Sequence, residues 1–266
     1  KDILDNYDSM AAVIIKDMDA IKKEYGRKRR TAIENAEEAV YEEKKMEEME
    51  VCFLMDRFGY MKLIDKNAYE RNKEAVHNEN KYVFNCMNTD KICIFTDTGK
   101  MHTIKAVDIP LGRFRDKGTP VDNLSNYDSS QERMLYVAPV GQLRSDRLLF
   151  VTKTSMCKLV EGAEFDVAKR TIASTKLADG DELIFIGSAS EMEQIVLQSH
   201  GGCFLRFLTQ EVSTMKKTAL GVRGMKLADD DYLEHAYLLA GHQEYTISYH
   251  DKEYALNKVR LAMNLT

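Results

Sequence analysis

The chain contains no tryptophan and three prolines in 266 residues. Its turns must therefore be built from Gly, Asn and Asp. No window approaches the 18 apolar residues that a membrane-crossing helix needs, so no such helix and no membrane partner are expected. No signal peptide is visible, and Lys1-Asp2-Ile3 is not a natural start, which predicts a piece of a longer chain. The five cysteines (Cys52, Cys86, Cys93, Cys157 and Cys203) include no Cys-x-x-Cys pair, and several lie inside apolar runs. Zinc binding and disulfides are therefore not expected, and a reducing cytoplasm fits best. The six histidines show no ligand spacing, and no Ser–His–Asp, Cys–His or complete phosphate-loop grouping emerges. Neither a catalytic residue nor a metal site is expected in this chain.

Bulk positive charge is also missing. Net charge is −5. Residues 1–50 hold ten Lys and Arg against fourteen Asp and Glu, net −4, which leaves −1 for the remaining body. A nucleic-acid role would have to come from a local basic stripe.

What is present begins with a heptad. Leu4, Ala11, Met18 and Tyr25 are spaced by seven, and so are Tyr7, Ile14 and Ile21. The series interleave as a and d positions do, which predicts a helix that either packs on a core or forms one strand of a coiled coil. Gly26 ends it, with Lys22 and Lys23 in the last turn. The basic run "GRKRRT" (26–31) follows, and then a Glu-rich, helical connector. The expected division is a helix and basic turn over 1–31, an acidic linker over 32–50, and a β-rich domain over 51–266.

From residue 51 the period changes. Five segments share one form, an apolar strand, a tight turn and a second strand: "VCFLMDRFGYMKLI", "ICIFTDTGKMHTI", "LLFVTKTSMCKLV", "IVLQSHGGCFLRF" and "YTISYHDKEYAL". Their turn positions align at Gly59, Gly99, Ser155, Gly202 and Asp251, a pitch of 40, 56, 47 and 49 residues. A second element recurs behind the hairpins. Gly99 to Gly118 and Gly202 to Gly221 are both 19 residues, and Leu124, Leu177 and Leu227 each stand six after Gly118, Thr171 and Gly221. "LADGDEL" (177–183) matches "LADDDYL" (227–233) position by position. Repeats of four short strands at this pitch predict a mainly β propeller with five visible repeats, the last incomplete, and five or six blades in all. A β-sandwich would not explain the fixed offsets. Asp179, Asp181, Asp229, Asp230 and Asp231 lack the glycine-centred loop and terminal Glu of a calcium site, and are expected to be turn residues.

The order "IKKEYGRKRRT", acidic connector, "FGYMKLI", "GRFRDKGTPVDNL" and "KKTALGVRGMKL" resembles the A subunit of bacterial type IIA topoisomerases, DNA gyrase and topoisomerase IV, over essentially the whole chain. The resemblance implies the end of the breakage-reunion core followed by the C-terminal β-propeller (or β-pinwheel), which binds duplex DNA along its rim, bends it and presents it for strand passage. It places the catalytic tyrosine outside this chain, so none of the 13 tyrosines here is catalytic. It also implies an A-subunit dimer, an ATPase B subunit, and Mg2+ and ATP used by the whole enzyme, with no cofactor in this piece. Gyrases carry a Gln-Arg-Arg-Gly-Gly-x-Gly box after a tyrosine in the first blade. The matching stretch after Tyr69 is Asn72, Lys73, Glu74, Ala75, Val76, His77 and Asn78, with no glycine and one basic residue. This degenerate box favours topoisomerase IV over gyrase.

One loop per blade is expected on the rim. The candidate phosphate contacts are Arg71 and Lys73 in the first blade, and Arg113, Arg115 and Lys117 in the second. The third offers Lys169, Arg170 and Lys176, and the fourth Lys216, Lys217, Arg223 and Lys226. Recurrence at one repeat position would turn scattered charges into a stripe. The competing readings are ordinary solvated charge and a propeller that binds protein partners.

Overall fold

A computed structural model of the protein describes residues 6–31, 47–241 and 244–256. It divides into two compact units, Lys1–Met46 and Glu47–Thr266. Leu4 of the heptad, most of the acidic connector and His242 lie outside the described residues.

In the first unit, helix α1 (Tyr7–Tyr25) starts at Asn6, whose side chain accepts from the Asp8 N–H. It ends at Gly26, whose N–H donates to the Lys22 carbonyl. The heptad residues Tyr7, Ile14, Met18, Ile21 and Tyr25 are all exposed.

In the second unit the five sequence repeats become five sheets. The first repeat holds β1 (Glu50–Asp56), β2 (Tyr60–Asp65), helix α2 (Lys66–Glu79) and β3 (Asn80–Met87). The second holds β4 (Lys91–Thr96), β5 (Lys100–Lys105), β6 (Thr119–Pro120) and β7 (Met134–Pro139). The third holds β8 (Arg147–Thr152), β9 (Met156–Glu161), β10 (Thr171–Ala173) and β11 (Leu183–Ser188). The fourth holds β12 (Gln194–Ser199), β13 (Phe204–Leu208), β14 (Val222–Arg223) and β15 (Leu233–Leu239), and the fifth β16 (Thr246–Tyr249) and β17 (Lys252–Ala255).

All five hairpin turns predicted by alignment are present. Gly59, Gly99, Ser155, Gly202 and Asp251 each sit at φ between 59° and 82°, the left-handed conformation that a tight turn requires. The apolar runs of the first four repeats are unalternating because their leading strands are sandwiched. Val51–Met55 of β1 and Ile92–Thr96 of β4 are buried on both faces. So are Leu148–Thr152 of β8 and Ile195–Ser199 of β12. One apolar cluster joins the first sheet to the second through Phe53, Met61, Ile92 and Ile94. A second joins sheets two and three through Phe95, Met101, Phe150 and Phe165, and a third joins three and four through Val151, Cys157, Leu197 and Leu233. A smaller cluster of Val196, Leu239 and Leu256, with Phe204 and Ile247 against it, joins the last two.

The sheets do not respect repeat boundaries. Their strand orders are β3-β1-β2-β6, β10-β5-β4-β7, β11-β8-β9-β14, β13-β12-β15 and β16-β17. The outer strand of each of the first three sheets therefore comes from the following repeat. Expectation placed the element containing Gly118, Thr171 and Gly221 on its own blade, and this is corrected. Gly118 lies against Met61 of sheet one, Thr171 pairs with His102 of sheet two, and Gly221 lies against Cys157 of sheet three. Leu124, Leu177 and Leu227 lie outside the strands. Each packs, partly buried, on the core cluster between adjacent sheets.

Candidate nucleic-acid interface

The exchanged segments carry the basic residues, and their backbone path decides how those residues are shown. On sheet one the segment first runs alongside β2. The Leu63 N–H donates to the Pro110 carbonyl at 2.9 Å, and the Gly112 N–H to the Leu63 carbonyl at 2.9 Å. It then leaves the strand, arches over residues 113–118, and returns as β6, where Thr119 and Pro120 pair with Met61 and Tyr60. Sheet three repeats the path. The Leu159 N–H donates to the Ser213 carbonyl at 3.2 Å and the Met215 N–H to the Leu159 carbonyl at 2.8 Å. Residues 216–221 then arch, and Val222 and Arg223 pair with Cys157 and Met156. On sheet two the Thr103 N–H donates to the Arg170 carbonyl at 2.8 Å and Thr171 pairs at once with His102, so no arch forms. The spacing explains the difference. Gly99 to Pro120 and Gly202 to Arg223 are 21 residues, whereas Ser155 to Ala173 is 18.

Arch one exposes Arg113, Arg115 and Lys117. The Asp116 carboxylate accepts from the Arg113 N–H at 2.7 Å and braces the loop, and Lys117 Nζ lies 4.3 Å from the Tyr60 ring centroid. Arch two carries Lys216 and Lys217. Lys216 is exposed and 3.4 Å from Glu164, while Lys217 is half-buried and donates to the Glu164 carbonyl at 2.9 Å. Lys169, Arg170 and Lys176 flank β10, and Arg223 and Lys226 lie in and beyond β14, all exposed. Lys169, Thr171 and Lys176 of the third repeat line one open cleft with Lys217 and Thr218 of the fourth, with a volume of about 590 Å³.

The first repeat differs. Arg71 and Lys73 were expected on a rim loop but lie on α2, and the whole stretch 72–78 is helical with a kink at Asn72. No earlier repeat exists among the described residues for this segment to join, and it folds back on its own sheet. Val76 is buried with Cys52, Leu54 and Ile64. Tyr69 Oη and His77 Nε2 are hydrogen-bonded at 3.1 Å, and Arg71 donates to the Asn67 carbonyl at 3.0 Å. Lys73, Glu74, His77 and Asn78 are exposed. Asn72 and Ala75 face arch one across a cleft of about 670 Å³ that also holds Asp56, Glu79, Arg115 and Lys117, so its charge is mixed.

The aspartates of "LADGDEL" and "LADDDYL" act in turns. Asp181 accepts from the Thr154 N–H at 3.1 Å and its hydroxyl at 2.6 Å. Asp231 accepts from the Gly201 N–H at 3.0 Å, and that bond holds its carboxyl below the usual carboxylate range.

Two lysines under the arches were missed by sequence reasoning, Lys62 and Lys158. Lys158 is 1% exposed, and burial pushes its ammonium down to about 8. The signal was available: each stands three residues after the turn positions Gly59 and Ser155.

Sheets packed face to face, the first three each completed by a strand from the next repeat and fringed by basic loops, define a propeller-type repeat protein. The family described as "DNA gyrase C-terminal domain, beta-propeller" matches residues 90–129, 146–190 and 193–240. The chain belongs to that family. It is 29% identical over 235 residues to the DNA gyrase A subunit of Clostridium acetobutylicum, covering 84% of this chain and 28% of that protein. It is also 29% identical over 236 residues to the DNA gyrase A subunit of Salmonella typhimurium, covering 84% and 27%. The chain thus spans less than a third of the relatives it matches. In fold it resembles a C-terminal domain of DNA topoisomerase IV (TM-score 0.66, 22% identity, 75% of this chain and 64% of that one). It likewise resembles the E. coli ParC C-terminal domain (TM-score 0.61, 14% identity, 77% and 85%).

Proposed function

We propose that the β domain binds and bends duplex DNA without sequence preference, as the C-terminal domain of a type IIA topoisomerase A subunit. It presents the duplex for ATP-dependent strand passage by an enzyme of paired A subunits and ATPase B subunits with Mg2+. The observation that carries this reading is the shared cleft in which Lys169 and Lys176 of one repeat meet Lys217 of the next. Strand exchange brings charges 40 or more residues apart in sequence onto one surface, which a near-neutral domain needs in order to hold phosphate. The test is duplex binding as a function of salt. Reversing Arg113, Arg115, Lys216, Lys217 and Arg223 together should weaken binding and flatten the salt dependence, by ~0.9 for each phosphate no longer neutralised. Equal affinity of parent and variant at every salt concentration would refute the interface. A domain that binds no duplex even at low salt would be a protein-binding propeller instead.

Within the family we favour a topoisomerase IV-like role. Residues 72–78 are helical, lack glycine and carry Glu74 on the surface, so they offer no close backbone approach to phosphate. The gyrase reading is kept because curated relatives at 29% identity are gyrase A subunits. ATP-dependent negative supercoiling of relaxed plasmid by the complete enzyme would decide for gyrase.

A further inference from the structure

Lys62 and Lys158 occupy one repeat position and face the same surroundings. Lys158 Nζ donates to the carbonyls of Lys217 at 2.9 Å, Ala219 at 2.6 Å and Lys216 at 3.4 Å. Lys62 Nζ donates to the carbonyls of Phe114 and Asp116. Phe114 and Lys217 stand four residues before Gly118 and Gly221, and Asp116 and Ala219 two before, so both acceptors of Lys62 have counterparts around Lys158, which adds the Lys216 carbonyl. Each ammonium also lies against an aromatic ring, Phe114 at 5.4 Å and Phe150 at 5.7 Å. An ammonium has three donors and no acceptor, so it suits a ring of convergent carbonyls that a turned-out loop cannot pair internally.

The other sheets act as internal controls. Sheet two receives a segment three residues shorter, which forms no arch. Its equivalent residue is His102, which bonds side chains instead, Thr171 Oγ1 at 3.1 Å and Glu132 at 3.0 Å. Sheet four receives no segment among the described residues, and its equivalent is Leu205, packed in the apolar core. The lysine is thus found where an arch is found.

We propose that Lys62 and Lys158 are positioning residues for DNA recognition. Each ammonium is the centre around which a basic arch of the next repeat is moulded, and it fixes the direction in which Arg113, Arg115, Lys216 and Lys217 are displayed. The role in recognition rests on the duplex-binding reading above, whereas the moulding of the arch does not.

Lys158→Met and Lys62→Met test this by two readouts. In the free protein, Lys158→Met should lower amide exchange protection over 215–221 about tenfold or more, with sheet amides of β8 and β12 unchanged. In duplex binding, the same variant should flatten the salt dependence by about two, at ~0.9 per neutralised phosphate, although Lys216 and Lys217 are still present. Lys226→Ala, which removes a charge outside the arch, should flatten it by about one and leave arch protection intact. A role confined to overall stability would not change the salt dependence. Unchanged protection at 215–221, or lost protection with unchanged salt dependence, would overturn the proposal. If Lys158→Met does not fold, Lys62→Met makes the same test on residues 112–118. The unsubstituted protein gives a third, since a caged ammonium has slowly exchanging protons visible by NMR; rapid exchange at Lys158 would overturn the cage. A parent protein that binds no duplex would refute the proposed function while the exchange data still decide the clamp.

Discussion

Strand exchange between repeats makes a quantitative prediction at three glycines. Gly118, Gly221 and Gly180 all lie at positive φ (82°, 108° and 77°), so alanine at any of them incurs the left-handed penalty of about 1–2 kcal/mol. They differ in what a Cβ would meet. At Gly180 nothing lies within 4 Å. At Gly118 the added carbon would sit 2.5 Å from the Met61 carbonyl oxygen, and at Gly221 2.7 Å from that of Cys157. Both obstacles are backbone of the preceding sheet, which cannot rotate away. Relief requires β6 to part from β2, or β14 from β9, and these pairings are only two residues long. Losing about two ladder hydrogen bonds at ~1 kcal/mol each brings the expected cost of Gly118→Ala or Gly221→Ala to about 3–4 kcal/mol. Gly180→Ala should cost about 1–2 kcal/mol. Urea unfolding measures all three, with the midpoint falling and the slope unchanged. Because the arches hang from these short strands, Gly221→Ala should also flatten the salt dependence of duplex binding, and Gly180→Ala should not. Equal destabilisation by the three substitutions would refute the account of how the exchanged segment is seated.

Other outcomes follow from the buried charges and the turns. Glu132 sits at 4% side-chain exposure between Lys100 (2.8 Å) and His102 (3.0 Å). Burial works to raise its carboxyl, but hydrogen bonds from Lys100, His102 and Thr96 prevail and hold it at about 2, below the ordinary 4.5. Its folded value is depressed, so its contribution is fully present above about 4.5 and lost as pH falls toward 2. Glu132→Gln should cost about 1–3 kcal/mol at pH 7, with the gap to the parent closing in urea titrations between those limits. Lys158 acts in the same direction at higher pH. Its folded value of about 8 lies below the ordinary 10.5, so the folded state binds fewer protons in that window and stability should rise with pH across it. Lys158→Met should abolish that rise, as unfolding free energies at pH 7.5 and 10.5 would report. Asp251 holds φ 59° at an exposed hairpin turn, so Asp251→Gly should raise the thermal midpoint by relieving about 0.5–1 kcal/mol of backbone strain.

Much of the architecture was legible because it is local. A leading strand buried on both faces must read as an uninterrupted apolar run, and a tight turn must place a residue at positive φ, so "ICIFTDTGK" announces β4, its turn and β5. Strand exchange was hidden because pairing partners leave no mark on either sequence alone. Thr119-Pro120 reads the same whether it completes β5 or β2, and only the closeness of Gly118 to Met61 decides. The helix over 72–78 was obscured for a related reason. The offset from Gly59 identified the right segment, but among the described residues it has no preceding sheet to join, and without glycines its Val76 face turns inward instead. The lysine clamps show the remaining limit. Lys62 and Lys158 look like solvated strand residues until the arch is placed over them. The three-residue difference between the 21- and 18-residue spacings, readable in the sequence, is what separates a repeat that needs an ammonium from one that has His102. Spacing between repeats therefore carries information about side-chain chemistry at a distant position, through the size of the loop that the side chain must fill.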